Sequence, residues 1–175
     1  MLVSELKKTI REVPDFPKPG VSFKDLTTLF QNPVAFRSAM DRLTERFSDE
    51  KIDVVAGIDA RGFVIAGVLA DRLNLGMVLV RKAGKLPHLV EGESYALEYG
   101  EARMEVHADA VEPGQRVVIL DDLLATGGTA AAAGRLMERL GAKIEGFGFL
   151  VELDFLGGRK LLPPDRVFSL IHFDQ

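Results

Sequence analysis

The chain has 175 residues, no cysteine and a formal net charge of −4. That length fits one domain able to bury about 68–70% of its unfolded surface. The missing cysteines exclude disulfides, thiolate metal sites and cysteine nucleophiles. There is no basic tract and no apolar run near the ~20 residues of a membrane span, so neither nucleic acid nor a membrane is an expected partner. The charged start MLVSELKKTIRE does not read as a secretory segment, and a cytoplasmic protein is expected.

Val3, Leu6, Ile10 and Val13 recur at spacings of three and four, which predicts an amphipathic helix over 3–13. PDFPKPG (14–20) is too rich in proline for a helix or a central strand. Asn32-Pro33 reads as an N-cap followed by proline at the first helical position, and Phe36, Met40, Leu43 and Phe47 mark that helix's buried face. IDVVAG (52–57) is a strand apolar enough for burial on both faces, and it stops at DARG (59–62). A helix over about 62–74 and a strand at 76–80 follow. Residues 82–107 are polar, glycine-rich and locally alternating, which predicts an excursion of hairpin-like segments with a mobile tip. Next come a strand at 116–121, a helix at 127–140, a strand at 144–152, an irregular turn at LGGRK and a strand at 167–171. Alternating strands and helices argue an α/β domain with a largely parallel sheet, whose ligands bind beyond the carboxyl ends of the strands.

At one such end the chain reads DDLLATGGT (121–129). Gly127 and Gly128 let a ligand approach the main chain closely, and Thr126 and Thr129 add hydroxyls. The helix that begins here aims unpaired N–H groups and its dipole's positive end into the turn, as in an anion site. No lysine follows the glycines as in a Walker A loop, and no GxGxxG is present. Two carboxylates beside a single phosphate cradle suit a sugar phosphate: the phosphate sits at the helix and the vicinal diol donates to Asp121 and Asp122. His88, His107 and His172 have no metal-ligand spacing, and Ser94 lies in no GxSxG elbow.

DDLLATGGT resembles the signature of type I phosphoribosyltransferases. DFPKPGVSFKD (15–25), DARGF (59–63), VRKAGKLP (80–87) and SYALEYG (94–100) resemble the adenine-specific members, in order and across nearly the whole chain. The resemblance implies one domain over 1–175: a largely parallel twisted sheet flanked by helices, a small N-terminal base-binding hood within 1–30 and a flexible catalytic lid over 82–107. It implies a glycosyltransferase of purine salvage, in which phosphoribosyl diphosphate and adenine give AMP and diphosphate with Mg²⁺. The metal would be held mainly by substrate and water rather than by direct protein ligands.

It also implies roles. Asp121 and Asp122 would hold the ribose hydroxyls near the developing cation, and Ala125, Thr126, Gly127, Gly128 and Thr129 would grip the 5′-phosphate. Asp59, Ala60, Arg61 and Gly62 would form the diphosphate loop, with Arg61 the side-chain partner and a cis peptide in the loop. Arg81, Lys82 and Lys85 would bind diphosphate, in part across a homodimer interface. Ser22, Phe23 and Lys24 would line the base pocket, with Phe23 stacked on the purine and Leu153 on its other face. Many relatives carry arginine where Lys24 stands and an aliphatic residue where Ser22 stands. Glu98 would exchange a proton with purine N7 while N9 attacks, and Tyr99 would order the lid or the leaving group. Two other readings remain open: transfer to hypoxanthine, guanine or xanthine, and a regulator that senses phosphoribosyl diphosphate without catalysis.

Overall fold

The computed structural model describes residues 1–96 and 101–175. Two sheets organise the chain. Strands β1 (Arg11–Val13) and β2 (Phe23–Asp25) form a small antiparallel ribbon, with Arg11 opposite Asp25 and Val13 opposite Phe23. The main sheet contains β3 (Val54–Ile58), β4 (Gly76–Lys82), β5 (Val90–Ala96), β6 (Glu101–His107), β7 (Arg116–Leu124), β8 (Lys143–Leu153) and β9 (Val167–Phe173). Its order is β5-β6-β4-β3-β7-β8-β9. The neighbours from β4 to β9 are parallel, and β6 and β5 are antiparallel additions at one edge.

The helices are α1 (Val3–Thr9), α2 (Thr27–Gln31), α3 (Pro33–Ser48), α4 (Gly62–Leu73) and α5 (Gly128–Arg139). None is long and apolar enough to cross a membrane among the described residues. Strand alternation divides the core into two layers. Val118 and Leu120 of β7 point into the layer with Leu43, Phe47, Ile65 and Leu69, and Val117 and Ile119 point into the one with Ala133, Leu136 and Phe149. β3 is buried at all five positions, as a strand covered on both faces must be. Asn32 caps α3 by accepting from the amides of Val34 and Ala35, both at 3.1 Å, with Pro33 at the first helical position.

Two elements depart from the sequence expectation. The helix predicted over 3–13 ends at Thr9, and Ile10 turns extended (φ −80°, ψ 127°). Residues 11–13 take their backbone hydrogen bonds from β2 instead, a partner that local periodicity cannot reveal. β7 runs to Leu124 rather than ending at Asp121, because β8 offers a partner as far as Leu124 opposite Glu152. Both acids therefore lie within a strand. The antiparallel pairing of β5 with β6 realises the hairpin expected within 82–107.

Candidate active site

The parallel strands end together at one rim of the sheet. There β3 leads into residues 59–61, and β7 leads through Ala125–Gly127 into α5. Gly127 has φ +83°, and a Cβ on it would overlap the carbonyl oxygen of Gly158. A Cβ on Gly158 would in turn overlap the carbonyl oxygen of Ala125. The turn at Gly157–Gly158 thus backs the loop of residues 125–127, and only glycines permit that approach. In front lies a cleft of about 80 Å³ lined by Asp121, Ala125, Thr126, Gly127, Thr129 and Phe149, among others. The cleft is small, with room for a compact polar group rather than a whole nucleotide. α5 opens on this cleft with Gly127 as its N-cap.

Side chains of Asp121 and Asp122 leave opposite faces of β7. Asp121 lines this cleft, and its Oδ1 accepts from the Asp122 amide at 2.9 Å. Burial, and then the negative charge of Asp122, pushes its carboxyl well above the usual carboxylate range. Asp122 is only 3% exposed and accepts from Nε of Arg61. Arg61 is itself the residue that opens α4. Gly62 follows because a Cβ there would lie 2.7 Å from the carbonyl oxygen of Leu120 and 3.1 Å from Oδ1 of Asp121. The Asp59–Ala60 peptide between these elements is cis. Asp59 accepts from Nε of Arg81 at 3.2 Å, and Arg81 also donates to the Lys85 carbonyl at 3.2 Å. Lys82 and Lys85 are exposed.

The N-terminal ribbon places Ser22 and Lys24 on one face and Phe23 on the other. Phe23 meets Phe16 edge-on, with centroids 5.1 Å apart. Lys24 is buried, its Nζ 3.0 Å from Glu12, 3.2 Å from the Ser22 hydroxyl and 4.7 Å from the centre of the Phe173 ring. That ion pair and hydrogen bond hold the Glu12 carboxyl below its ordinary value. Leu153 pairs with Phe173 across β8 and β9. The Lys24 ammonium therefore ties the ribbon to the last strand instead of standing free to meet a ligand. Glu98 and Tyr99 lie outside the described residues.

Two residues of the rim escaped the sequence reading. Gly158 is identified only by what a side chain would strike. Tyr95, whose hydroxyl stands 3.3 Å from Oγ1 of Thr129, is brought there by strand pairing. Only the run LGG, read as an irregular turn, carried a signal for Gly158.

A metal must be tested against the donors present. Asp122 is committed to Arg61, and one oxygen of Asp121 to an amide. Among the described residues Asp59 is likewise engaged, by Arg81, so a Mg²⁺ here would be held mainly by substrate oxygens and water. Glu152, Asp154 and His172 form the group of potential ligands found among the described residues. They line a separate cavity of about 590 Å³, where Arg159 holds Glu152 at 2.6 and 3.1 Å. That cavity contains neither acid of β7.

Comparison with known proteins agrees with this geometry. Residues 25–172 match the phosphoribosyl transferase domain. The adenine phosphoribosyltransferase of Sorangium cellulosum is 52% identical over 173 residues, covering 96% of this chain and 86% of the relative. The crystal structure of adenine phosphoribosyltransferase from Rhodothermus marinus superposes with a TM-score of 0.92 at 49% identity, covering 98% of each chain. The enzyme from Saccharomyces cerevisiae, solved with D-2,5-dideoxy-2,5-imino-altritol 1,6-bisphosphate and adenine, gives 0.90 at 42% identity, covering 97% of this chain and 98% of that one. The chain belongs to the phosphoribosyl transferase family.

Proposed function

We propose that the chain transfers the phosphoribosyl group of phosphoribosyl diphosphate to adenine, giving AMP and diphosphate in purine salvage. The observation that carries the reading is the cleft at the end of β7, where a glycine-locked helix N-terminus and the Asp121 carboxylate face one small space. The likeness to adenine-specific relatives supports adenine as the acceptor.

In this reading the 5′-phosphate occupies residues 125–129 and the ribose hydroxyls donate to Asp121, with Asp122 beneath it. N9 of adenine attacks C1′ as the C1′–O bond breaks, and the bonding pair leaves with diphosphate. Positive charge grows on the ribose ring, where the two acids stabilise it. Arg61, held by Asp122, stands at the diphosphate loop with Asp59 and Ala60, and turns a guanidinium edge to the leaving oxygens. Glu98 takes the proton from N7 as N9 bonds to carbon, and Tyr99 orders the leaving group. Residues 82–107 act as the lid that excludes water. Mg²⁺, when bound, neutralises charge on the diphosphate. Ser22, Phe23, Lys24 and Leu153 form the base pocket, with Lys24 acting through its packing.

The working form is a cytoplasmic homodimer in which Arg81, Lys82 and Lys85 reach the partner's diphosphate. Exposed Val64, Leu79 and Leu89 offer apolar surface for that contact. The test is to incubate the protein with phosphoribosyl diphosphate, Mg²⁺ and each purine in turn. AMP from adenine is expected. Nucleotide from guanine, hypoxanthine or xanthine instead overturns the base assignment, and none from any base favours a regulator.

A further inference from the structure

Tyr95 stands on β5, outside the DDLLATGGT segment, yet its hydroxyl lies 3.3 Å from Oγ1 of Thr129 in the first turn of α5. Its ring packs against the core layer beneath α5. Two residues earlier, on the same face of the strand, Glu93 accepts from Arg135 at 2.7 Å and from Arg139 at 2.6 Å. Arg139 also donates to the Gly92 carbonyl at 2.6 Å. In this arrangement of the lid β5 is therefore fastened along α5 by three charged contacts, which bring the phenol to the start of that helix.

The chemistry of the hydroxyl pair gives this placement a consequence. Each hydroxyl owns one proton and two acceptor lone pairs. A phosphate in the cradle presents only acceptor oxygens, so Thr129 must turn its proton toward the anion. The pair with Tyr95 then survives only if the phenol becomes the donor and Thr129 the acceptor. The separation exceeds the roughly 2.7–2.8 Å usual for hydroxyl pairs, which leaves Thr129 free to make that rotation. A phenol is also the more acidic partner, and so the better donor of the two.

We infer that Tyr95 is a positioning residue for the phosphate site: its hydroxyl holds Thr129 in the orientation that presents the threonine proton to the 5′-phosphate. This rests on the reading of residues 125–129 as the phosphate cradle. Phenylalanine at position 95 keeps the ring in its packing and removes only the donor.

The experiment measures AMP and adenosine affinity by calorimetry on the full chain and on Tyr95→Phe, Thr129→Val, Thr129→Ser and the Tyr95→Phe/Thr129→Val pair. Tyr95→Phe is expected to weaken AMP about five-fold, the scale of one uncharged hydrogen bond, and to leave adenosine binding unchanged. Thr129→Ser keeps the hydroxyl and is expected to lose less AMP affinity than Thr129→Val; an equal loss in the two would overturn the inference. In the Thr129→Val background the second change is expected to add almost nothing. Unaltered AMP affinity in Tyr95→Phe, equal losses for AMP and adenosine, or full additivity in the pair overturns the inference. A Thr129→Val protein that binds AMP as the parent does removes the cradle reading itself, which separates the two failures.

Discussion

The phosphate cradle and the N-terminal ribbon serve the same proposed reaction but are built in opposite ways. The cradle is one contiguous stretch, locked by the buried Gly127 against Gly158, and it offers backbone amides. The ribbon is two three-residue strands, mostly only partly covered, pinned by a buried lysine whose partners come from β1, from Ser22 just before β2 and from β9. A phosphate has the same charge in every substrate of the family, and rigid main chain suffices to hold it. A base differs from its competitors by a few edge groups, so its site must be placed by side chains that can vary.

The sharpest way to break this contrast is Gly127→Ala. The residue's φ of +83° and its closeness to the Gly158 carbonyl leave a methyl no room, so the loop must shift. A displacement near 1 Å can cost about 100-fold in rate. A fall of that order in kcat/KM for phosphoribosyl diphosphate is expected. Activity within a few-fold of the parent would show that the cradle is not rigid.

Asp121→Asn comes next. Losing charged hydrogen bonds to the ribose hydroxyls, at about 1.5–3 kcal/mol, corresponds to a drop in kcat/KM of roughly 10- to 150-fold. The pH profile sharpens the point. Because burial and Asp122 raise the Asp121 carboxyl, the acceptor form is reached only as pH rises through that elevated value. Activity should therefore increase with pH along a limb that Asp121→Asn abolishes. Asp122→Asn should move the limb to lower pH, but only part of the way, since burial is the larger cause. An unmoved limb in Asp122→Asn would sever the two acids.

For the ribbon, Lys24→Met removes the ammonium that joins Glu12, Ser22 and the Phe173 ring while roughly keeping the stem. The expected result is a rise of about 5- to 10-fold in KM for adenine, the scale of a hydrogen bond of about 1 kcal/mol once the exposed Glu12 partner is screened, with KM for phosphoribosyl diphosphate unchanged. Lys24→Arg should restore most of it. Equal increases in both constants would mean that ribbon and cradle are one unit.

How much of this could be read from residues alone follows the same division. The strand–acid–glycine–helix order of 117–139 is local, so periodicity, turn residues and helix-start chemistry displayed it before any coordinates. Asn32-Pro33 opened α3 for the same reason. What stayed hidden depends on pairing between distant segments. Ile10 and Val13 kept a helical spacing although residues 11–13 pair with β2. Opposite faces for Asp121 and Asp122 required knowing that β8 extends β7 to Leu124. Gly158 behind the cradle and Tyr95 beside Thr129 are meetings of residues more than thirty positions away in the chain, and no local pattern announces them.

The smallest effect concerns the acid stability of the ribbon. Asp25 on β2 has its carboxyl lowered to about 2, first by the Thr27 hydroxyl and amide, then by Arg11 at 2.6 Å. A depressed carboxyl adds stability that is present above its unfolded value near 3.9 and is lost as pH falls toward the folded one. The ribbon should therefore loosen between about pH 4 and pH 2, and nothing should change near neutrality. Carbon-detected titration of Asp25 by NMR checks the order of causes. Thr27→Val removes the hydroxyl, and Arg11→Gln removes a guanidinium that is half exposed and screened. The first should raise the Asp25 midpoint more than the second. The reverse order would mean that the exposed ion pair, not the turn beneath it, sets the ribbon's charge state, and the ribbon would then weaken with added salt.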